Sequence, residues 1–263
     1  MAIANIHYTL IRKLREQNSL PYCNTILEIG EHNWYGDLNP ELLFNDIKLF
    51  AKESEKKDLE VQLNSLFKQK YEKRVFGIAK IFYKIFFHSQ SIESIDLDGT
   101  SSARKLDLNL PHDLGKKFDC IINLGTSEHV FNVYQVFRSI HEWIRKDGII
   151  IHHLPMYGEI DHGFYNFHPT FLYDLSLANQ YQPITVAKAT MKDIVVFRDR
   201  NDFTKDILSM DKEKSYALLA VLKNLSSEDF KIPMQGVYDD NLATKKSIED
   251  AWLRQRHIAN ESS

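Results

Sequence analysis

The chain has 263 residues, 43% of them hydrophobic, and a formal net charge of −3 from 33 Lys and Arg against 36 Asp and Glu. This balance gives no electrostatic case for a nucleic-acid partner. The only cysteines, Cys23 and Cys120, are too few for a disulfide framework or a cysteine-ligated zinc site. The most apolar run, Val75 to Phe87, is interrupted by Lys80 and Lys84 and falls short of the roughly 20 residues that span a membrane. The expectation is a cytoplasmic protein built as one α/β domain.

In chain order, Ile6 to Gln17 predicts an amphipathic helix with Ile6, Leu10, Ile11 and Leu14 on one face. Thr25 to Gly30 predicts the first strand. Asn39-Pro40-Glu41 reads as a helix start leading into Leu42 to Phe50. Leu59, Leu63 and Leu66 recur at helical spacing, and Lys73 to Phe87 predicts a further helix. Trp34 to Gln90 therefore reads as a helical insertion after the first strand, serving as a lid or as the surface of a homodimer. Ser91 to Asp98 predicts the second strand, Phe118 to Leu124 a buried one, Val130 to Arg145 a helix, and Ile149 to His153 the next strand. This alternation predicts a mostly parallel sheet covered on both faces. Beyond it, Phe171 to Asn179 reads as a helix. The β-rich runs Ile184 to Ala189, Ile194 to Arg198 and Tyr216 to Leu222 predict an antiparallel addition at the sheet edge. Phe230 to Tyr238 looks extended, and Ala243 to His257 reads as a closing helix.

Chemistry-bearing residues gather at the strand ends. Glu28 and Gly30 follow the first strand, Asp96, Leu97 and Asp98 the second, and Asn123, Leu124 and Gly125 a later one. Ligands of open α/β sheets sit beyond the carboxyl ends of the strands, and an acid there commonly accepts ribose hydroxyls. A carboxylate in that role disfavours a 2′-phosphate, so NADP is not expected. The segment after Ile149-Ile150-Ile151 carries His152, His153, His162 and His168 with Tyr157, Glu159, Asp161, Tyr165 and Asn166, broken by Pro155, Gly158, Gly163 and Pro169. Residues 155–182 read as the rim of an acceptor site.

The succession ILEIG, SIDLD, KLDLNLP, FDCIINLGTSEHV and WIRKDGIIIHH resembles the class I S-adenosylmethionine-dependent methyltransferases. The resemblance implies a Rossmann-like sheet of seven strands, with S-adenosyl-L-methionine as cofactor and S-adenosyl-L-homocysteine as product. It implies Glu28 and Gly30 under the methionine part of the cofactor, and Asp96 on the ribose with Leu97 and Asp98 beside it. It further implies Asp107 with Leu108 at the adenine, and Asn123 and Gly125 near the sulfonium. The first loop has Glu31 and His32 where that family's motif carries more glycine. The segment HGFYNFHPTFLYDL and the run from Phe230 to Tyr238 resemble methyltransferases of surface-polysaccharide (capsule) biosynthesis. That implies a small-molecule, nucleotide-linked or glycan-linked acceptor: a sugar hydroxyl, or a decoration such as a methyl phosphoramidate. O-methylation needs a proton acceptor, and a neutral imidazole supplies one near pH 7. His162 is the first candidate, then His168, His153 and His129, with Tyr165 and Asn166 holding the acceptor. No metal is assigned. The rival readings are a metal-assisted transferase using His152, His153, Asp161, His162 and His168, and a non-catalytic methyltransferase-like subunit. An NAD-dependent oxidoreductase would need a glycine-rich first turn, which the chain lacks.

Overall fold

The computed structural model describes residues 1–198, 202–203, 206, 210–211 and 213–236. A two-residue strand, β1 (Ala2–Ile3), precedes helix α1 (Asn5–Glu16). α1 buries Ile6, Tyr8, Leu10, Ile11 and Leu14, the apolar stripe of its sequence. Its first turn has no ordinary side-chain cap, but the His7 ring accepts the Ala4 N–H at 2.9 Å. Near its other end the buried Arg15 donates to the carbonyls of Phe86 and Leu20 and lies 4.1 Å above the Tyr22 ring. Arg15 thus satisfies an orphan carbonyl, Phe86 O, at the end of a later helix and pins α1 to it.

β2 (Thr25–Ile29) and β3 (Asn33–Trp34) follow, then α2 (Leu42–Phe50), a 3-10 turn at Glu53–Glu55, α3 (Lys56–Phe67) and α4 (Tyr71–Phe87). α4 is nearly continuous in buried apolar residues because it lies flat on the sheet, with Ile78, Phe82, Ile85 and Phe86 in one core with Ile26, Ile122 and Ile151. It is the crossover helix between β2 and β4 (Ser91–Ile95). After β5 (Phe118–Leu124) come α5 (Val133–Trp143), β6 (Ile144–Tyr157), α6 (Pro169–Ala178), β7 (Tyr181–Ala189), β8 (Ile194–Phe197) and β9 (Tyr216–Asn224). Successive residues of β5 serve opposite faces, as strand geometry requires. Cys120 and Ile122 join the core under α1 and α4, while Ile121 joins a second core with Val136, Ile140 and Leu172 of α5 and α6.

The main sheet has seven strands in the order β4-β2-β5-β6-β9-β7-β8. The fold is Rossmann-like, but the sheet is mixed rather than mostly parallel. The pairings β4–β2, β2–β5 and β5–β6 are parallel, and β6–β9, β9–β7 and β7–β8 are antiparallel. The antiparallel strands β9, β7 and β8 form the addition expected at one edge of the sheet. β9 pairs β6 on one side and β7 on the other. Both of its faces are covered, with Leu218, Ala220 and Leu222 in one core and Leu219 and Val221 in the other. β6 is longer than its apolar triplet predicts, since β9 pairs it from Ile149 to Tyr157. β4 is shorter, ending at Ile95, because the Asp96 carboxylate accepts the N–H groups of Glu31 and Asp98 and turns the chain. α5 begins at Val133, where Asn132 caps Gln135 N. Residues 230–235 run without regular structure, as an extended tail does. Val237, Tyr238 and the expected closing helix lie outside the described residues.

Glu28 of β2 is fully buried, with its carboxylate held by Lys80 of α4 and Ser94 of β4 and 3.3 Å from His32 Nδ1. Burial raises its pKa, but His32 and Lys80 outweigh it and hold the group below its ordinary value. Lys80→Met should therefore strand a buried carboxylate and cost roughly 3–5 kcal/mol in urea unfolding. Glu28→Gln with Lys80→Met should recover part of that loss, because no charge is left buried.

Candidate active site

From β2 the chain moves to β4 on one side, then crosses to β5 on the other. That reversal opens a crevice at the carboxyl ends of β2 and β5, the switch point where ligands of such sheets bind. Its floor holds two glycines in the left-handed conformation, Gly30 (φ +80°) and Gly125 (φ +81°). Gly30 N donates to Ile95 O at 2.7 Å and Gly125 N to His153 O at 3.0 Å, tying the end of β2 to that of β4 and the end of β5 to β6. A Cβ at residue 30 would collide with Thr126 Oγ1 and lie 2.6 Å from Met1 Cγ. One at residue 125 would lie 3.1 Å from Glu128 Oε1 and 3.6 Å from Met1 Sδ. Both positions therefore favour glycine for conformation, and residue 30 for space as well. The Met1 side chain lies across them, held by the parallel β1–β3 pair and by Asn33 N donating to Met1 O at 3.0 Å.

Of the acids predicted for the site, Asp96 is tied to the residue after Gly30 by its bond to Glu31 N. Asp96 is half-buried, and each of its carboxylate oxygens accepts one main-chain N–H, from Glu31 and Asp98, at 2.8 Å. Leu97 and Asp98 are exposed beside it. Asp107 Oδ1 accepts the backbone and side-chain N–H groups of Asn109, which hold its pKa below the ordinary value. Leu108 is buried. Asn123 is fully buried, with Nδ2 2.9 Å from Ser127 Oγ and 3.2 Å from His152 Nδ1. Glu28 points into the α4 side of the sheet and is spent on Lys80 and Ser94.

The histidines divide into three groups. His152 is buried against Phe137, and burial lowers its pKa to about 3. His153 is hydrogen-bonded to His7, and burial with the nearby His162 lowers it to about 4. His168 is exposed and begins α6, apart from the others, with its ring 6.2 Å from Phe203. His129 and His162 come together with ring centroids 4.9 Å apart, beside a carboxylate that sequence reasoning passed over, Glu128. Its side chain is 1% exposed, and neither oxygen has a hydrogen-bond partner. His162 Nε2 lies 3.4 Å and His129 Nε2 3.8 Å from Glu128 Oε1, and His162 Nδ1 lies 3.9 Å from Glu159 Oε2. Burial raises the Glu128 pKa against the opposing pull of His162. Burial lowers that of His129, aided by His162 and the chain's amino group.

Backbone packing builds this group. Phe164 N donates to Glu128 O at 2.7 Å. A Cβ on Gly163 would fall 2.9 Å from that same carbonyl oxygen and 3.1 Å from Glu128 Cγ. Glycine at 163 lets the rim segment lie directly on the Ser127–His129 turn after β5. Tyr165 donates to Phe131 O at 2.6 Å and anchors the next residues, leaving Asn166 exposed. The usable signal for Glu128 was its place three residues after a glycine at a strand end and next to a histidine. Met1, Thr126 and His7 had no comparable signal.

No family model and no curated protein matches the chain. Similar solved structures include the N-methyltransferase NodS from Bradyrhizobium japonicum WM9 in complex with S-adenosyl-L-homocysteine, at 10% identity. That match has a TM-score of 0.44 and covers 85% of this chain and 89% of the other. A second is the 1,6-didemethyltoxoflavin-N1-methyltransferase of Burkholderia thailandensis, at 10% identity and a TM-score of 0.46, covering 83% and 78%. A third is the O-methyltransferase from a trans-AT PKS multienzyme of Brevibacillus brevis, at 12% identity and a TM-score of 0.36, covering 79% and 69%. Among the described residues no helix is long and apolar enough to cross a membrane.

His7, His152 and His153 are held neutral by burial, with folded pKa values below the unfolded value of 6.5. The unfolded chain therefore binds more protons below about pH 6.5, so their contribution is full above that pH and is lost as pH falls towards 4 and 3. Unfolding midpoints in urea should drop across pH 6.5 to 4, each histidine adding up to about 1.4 kcal/mol per pH unit. His153→Gln should flatten the slope; an unchanged slope would mean that these rings carry protons in the folded state.

Proposed function

We propose that the chain transfers a methyl group from S-adenosyl-L-methionine to an oxygen of a small sugar-linked acceptor, releasing S-adenosyl-L-homocysteine. The observation that carries the reading is the pair of left-handed glycines at the β2/β5 switch point, flanked by Asp96 and facing a histidine-bearing rim. The cofactor supplies an electrophilic methyl on a sulfonium sulfur. Gly30 and Gly125 leave the backbone bare for close approach, once the Met1 side chain withdraws from them. Asp96 uses one lone pair of each oxygen on the main chain and retains the others for the ribose hydroxyls. Asp98, Leu97, Leu108 and Asp107 extend that side of the crevice towards the adenine, as the sequence resemblance implies.

The acceptor lies between this floor and the rim of residues 155–182. A sugar hydroxyl, or a phosphoramidate attached to a sugar, is the acceptor class that the rim's resemblance to polysaccharide-assembly enzymes implies. His162 is the best proton acceptor of the set. Its ring is half-exposed, and Glu128 on one nitrogen and Glu159 on the other stabilise the charge it would gain. His153 at about 4 is too weakly basic for the task, and its ring is engaged with His7. His129 remains beside His162 as its alternate, while His168 and Asn166 lie exposed for acceptor contacts.

Asp96→Asn should weaken S-adenosyl-L-homocysteine binding about 10- to 150-fold by calorimetry, the loss of roughly 1.5–3 kcal/mol for a hydrogen bond to a charged group. Full affinity in both Asp96→Asn and Asp98→Asn would refute the ribose assignment. His162→Ala should lower turnover about 10²- to 10⁴-fold while cofactor affinity holds. An equal fall in both quantities would make His162 a structural residue.

A further inference from the structure

We propose that Glu128, His129 and His162 bind a divalent transition-metal ion at the mouth of the crevice. Among the described residues they are the one group of His, Cys, Asp and Glu with ligand atoms all within 4.8 Å of one another. Two imidazole nitrogens and one carboxylate oxygen form a borderline donor set, suited to zinc, iron or manganese rather than to calcium or magnesium. Donors bound at about 2.1 Å from a shared ion stand roughly 3.0–3.5 Å apart. The two Nε2 atoms converge on Glu128 Oε1 at 3.4 and 3.8 Å, close to that spacing.

An independent observation also points to a ligand. Both Glu128 oxygens are buried without a hydrogen-bond partner, and a carboxylate in that state carries a desolvation cost that a bound cation offsets. Oε1 is the atom nearest the Gly125 Cβ position, so the carboxylate faces the crevice floor. The two rings are exposed while the carboxylate is buried, which leaves the outer coordination positions open to an incoming oxygen. Glu159 Oε2 lies 3.9 Å from His162 Nδ1, a carboxylate beside the nitrogen that faces away from the ion.

This inference deepens the reading above and rests on it only for what fills the crevice. With the ion bound, His162 would be a ligand rather than the base; the ion would lower the pKa of an acceptor hydroxyl, and the proton released would pass to solvent at the exposed mouth.

The test is calorimetric titration of the full chain, stripped with EDTA, with Mn²⁺ and separately with Zn²⁺. S-adenosyl-L-homocysteine affinity is measured in parallel, and thermal unfolding checks each variant. One equivalent of ion per chain is expected, weakened at least tenfold in Glu128→Gln and in His162→Ala. His129→Gln should show the same loss, and its exposed side chain keeps the test valid if the buried Glu128 variant fails to fold. Absence of binding, or binding that none of the three substitutions alters, overturns the metal site. Metal binding without any S-adenosyl-L-homocysteine binding would leave the site standing and remove the cofactor reading instead.

Discussion

A carboxylate buried on the sheet dictates much of this architecture. Glu28 lies on β2, one strand in from the β4 edge, with no access to water, so its charge survives only where partners reach it. Lys80 can do so only if α4 lies across β2, and Ser94 only if β4 pairs in register beside it. His32 must then turn inward, where its Nδ1 also sits 2.6 Å from the Tyr83 hydroxyl. One ion pair therefore links the placement of the crossover helix, the adjacent strand and the loop that leaves β2 towards the crevice. That loop cannot be glycine-rich throughout, because its His32 is part of the buried network.

The fold was largely legible where periodicity met punctuation. Leu42–Phe50 and Phe118–Leu124 have the boundaries that Asn39-Pro40-Glu41 and Gly125 announce. Less legible was whatever depended on a distant partner. The apolar triplet at Ile149 marks the core of β6 but cannot reveal that β9 pairs it to Tyr157. Likewise the place of β9 between β6 and β7 is set by its partners, which an apolar run does not name. The sequence reads the late β-rich runs as an antiparallel edge, and with three antiparallel pairings beside three parallel ones the sheet is mixed.

The candidate site divides in the same way. Gly30, Asp96 and Gly125 stand at strand ends, and topology alone brings them to one crevice. The histidines could be counted in the sequence but not sorted. His152 is core, His153 is spent on His7, and His162 alone among the segment's rings reaches Glu128. Glu128 itself reads as an ordinary turn acid, because its relation to a residue 34 positions later is set by a backbone hydrogen bond, which no side chain advertises.

That same backbone contact has an evolutionary consequence. A side chain at position 163 would meet the main-chain carbonyl of residue 128 as well as its Cγ, so exchanging Glu128 alone does not make room at 163. Any side chain at 163 must first lift the rim away from the turn, parting residues 162 and 128. The two positions should therefore drift together or not at all. Descendants that acquire alanine at 163 should be free to lose the acid at 128, whereas lineages that keep the acid remain bound to glycine.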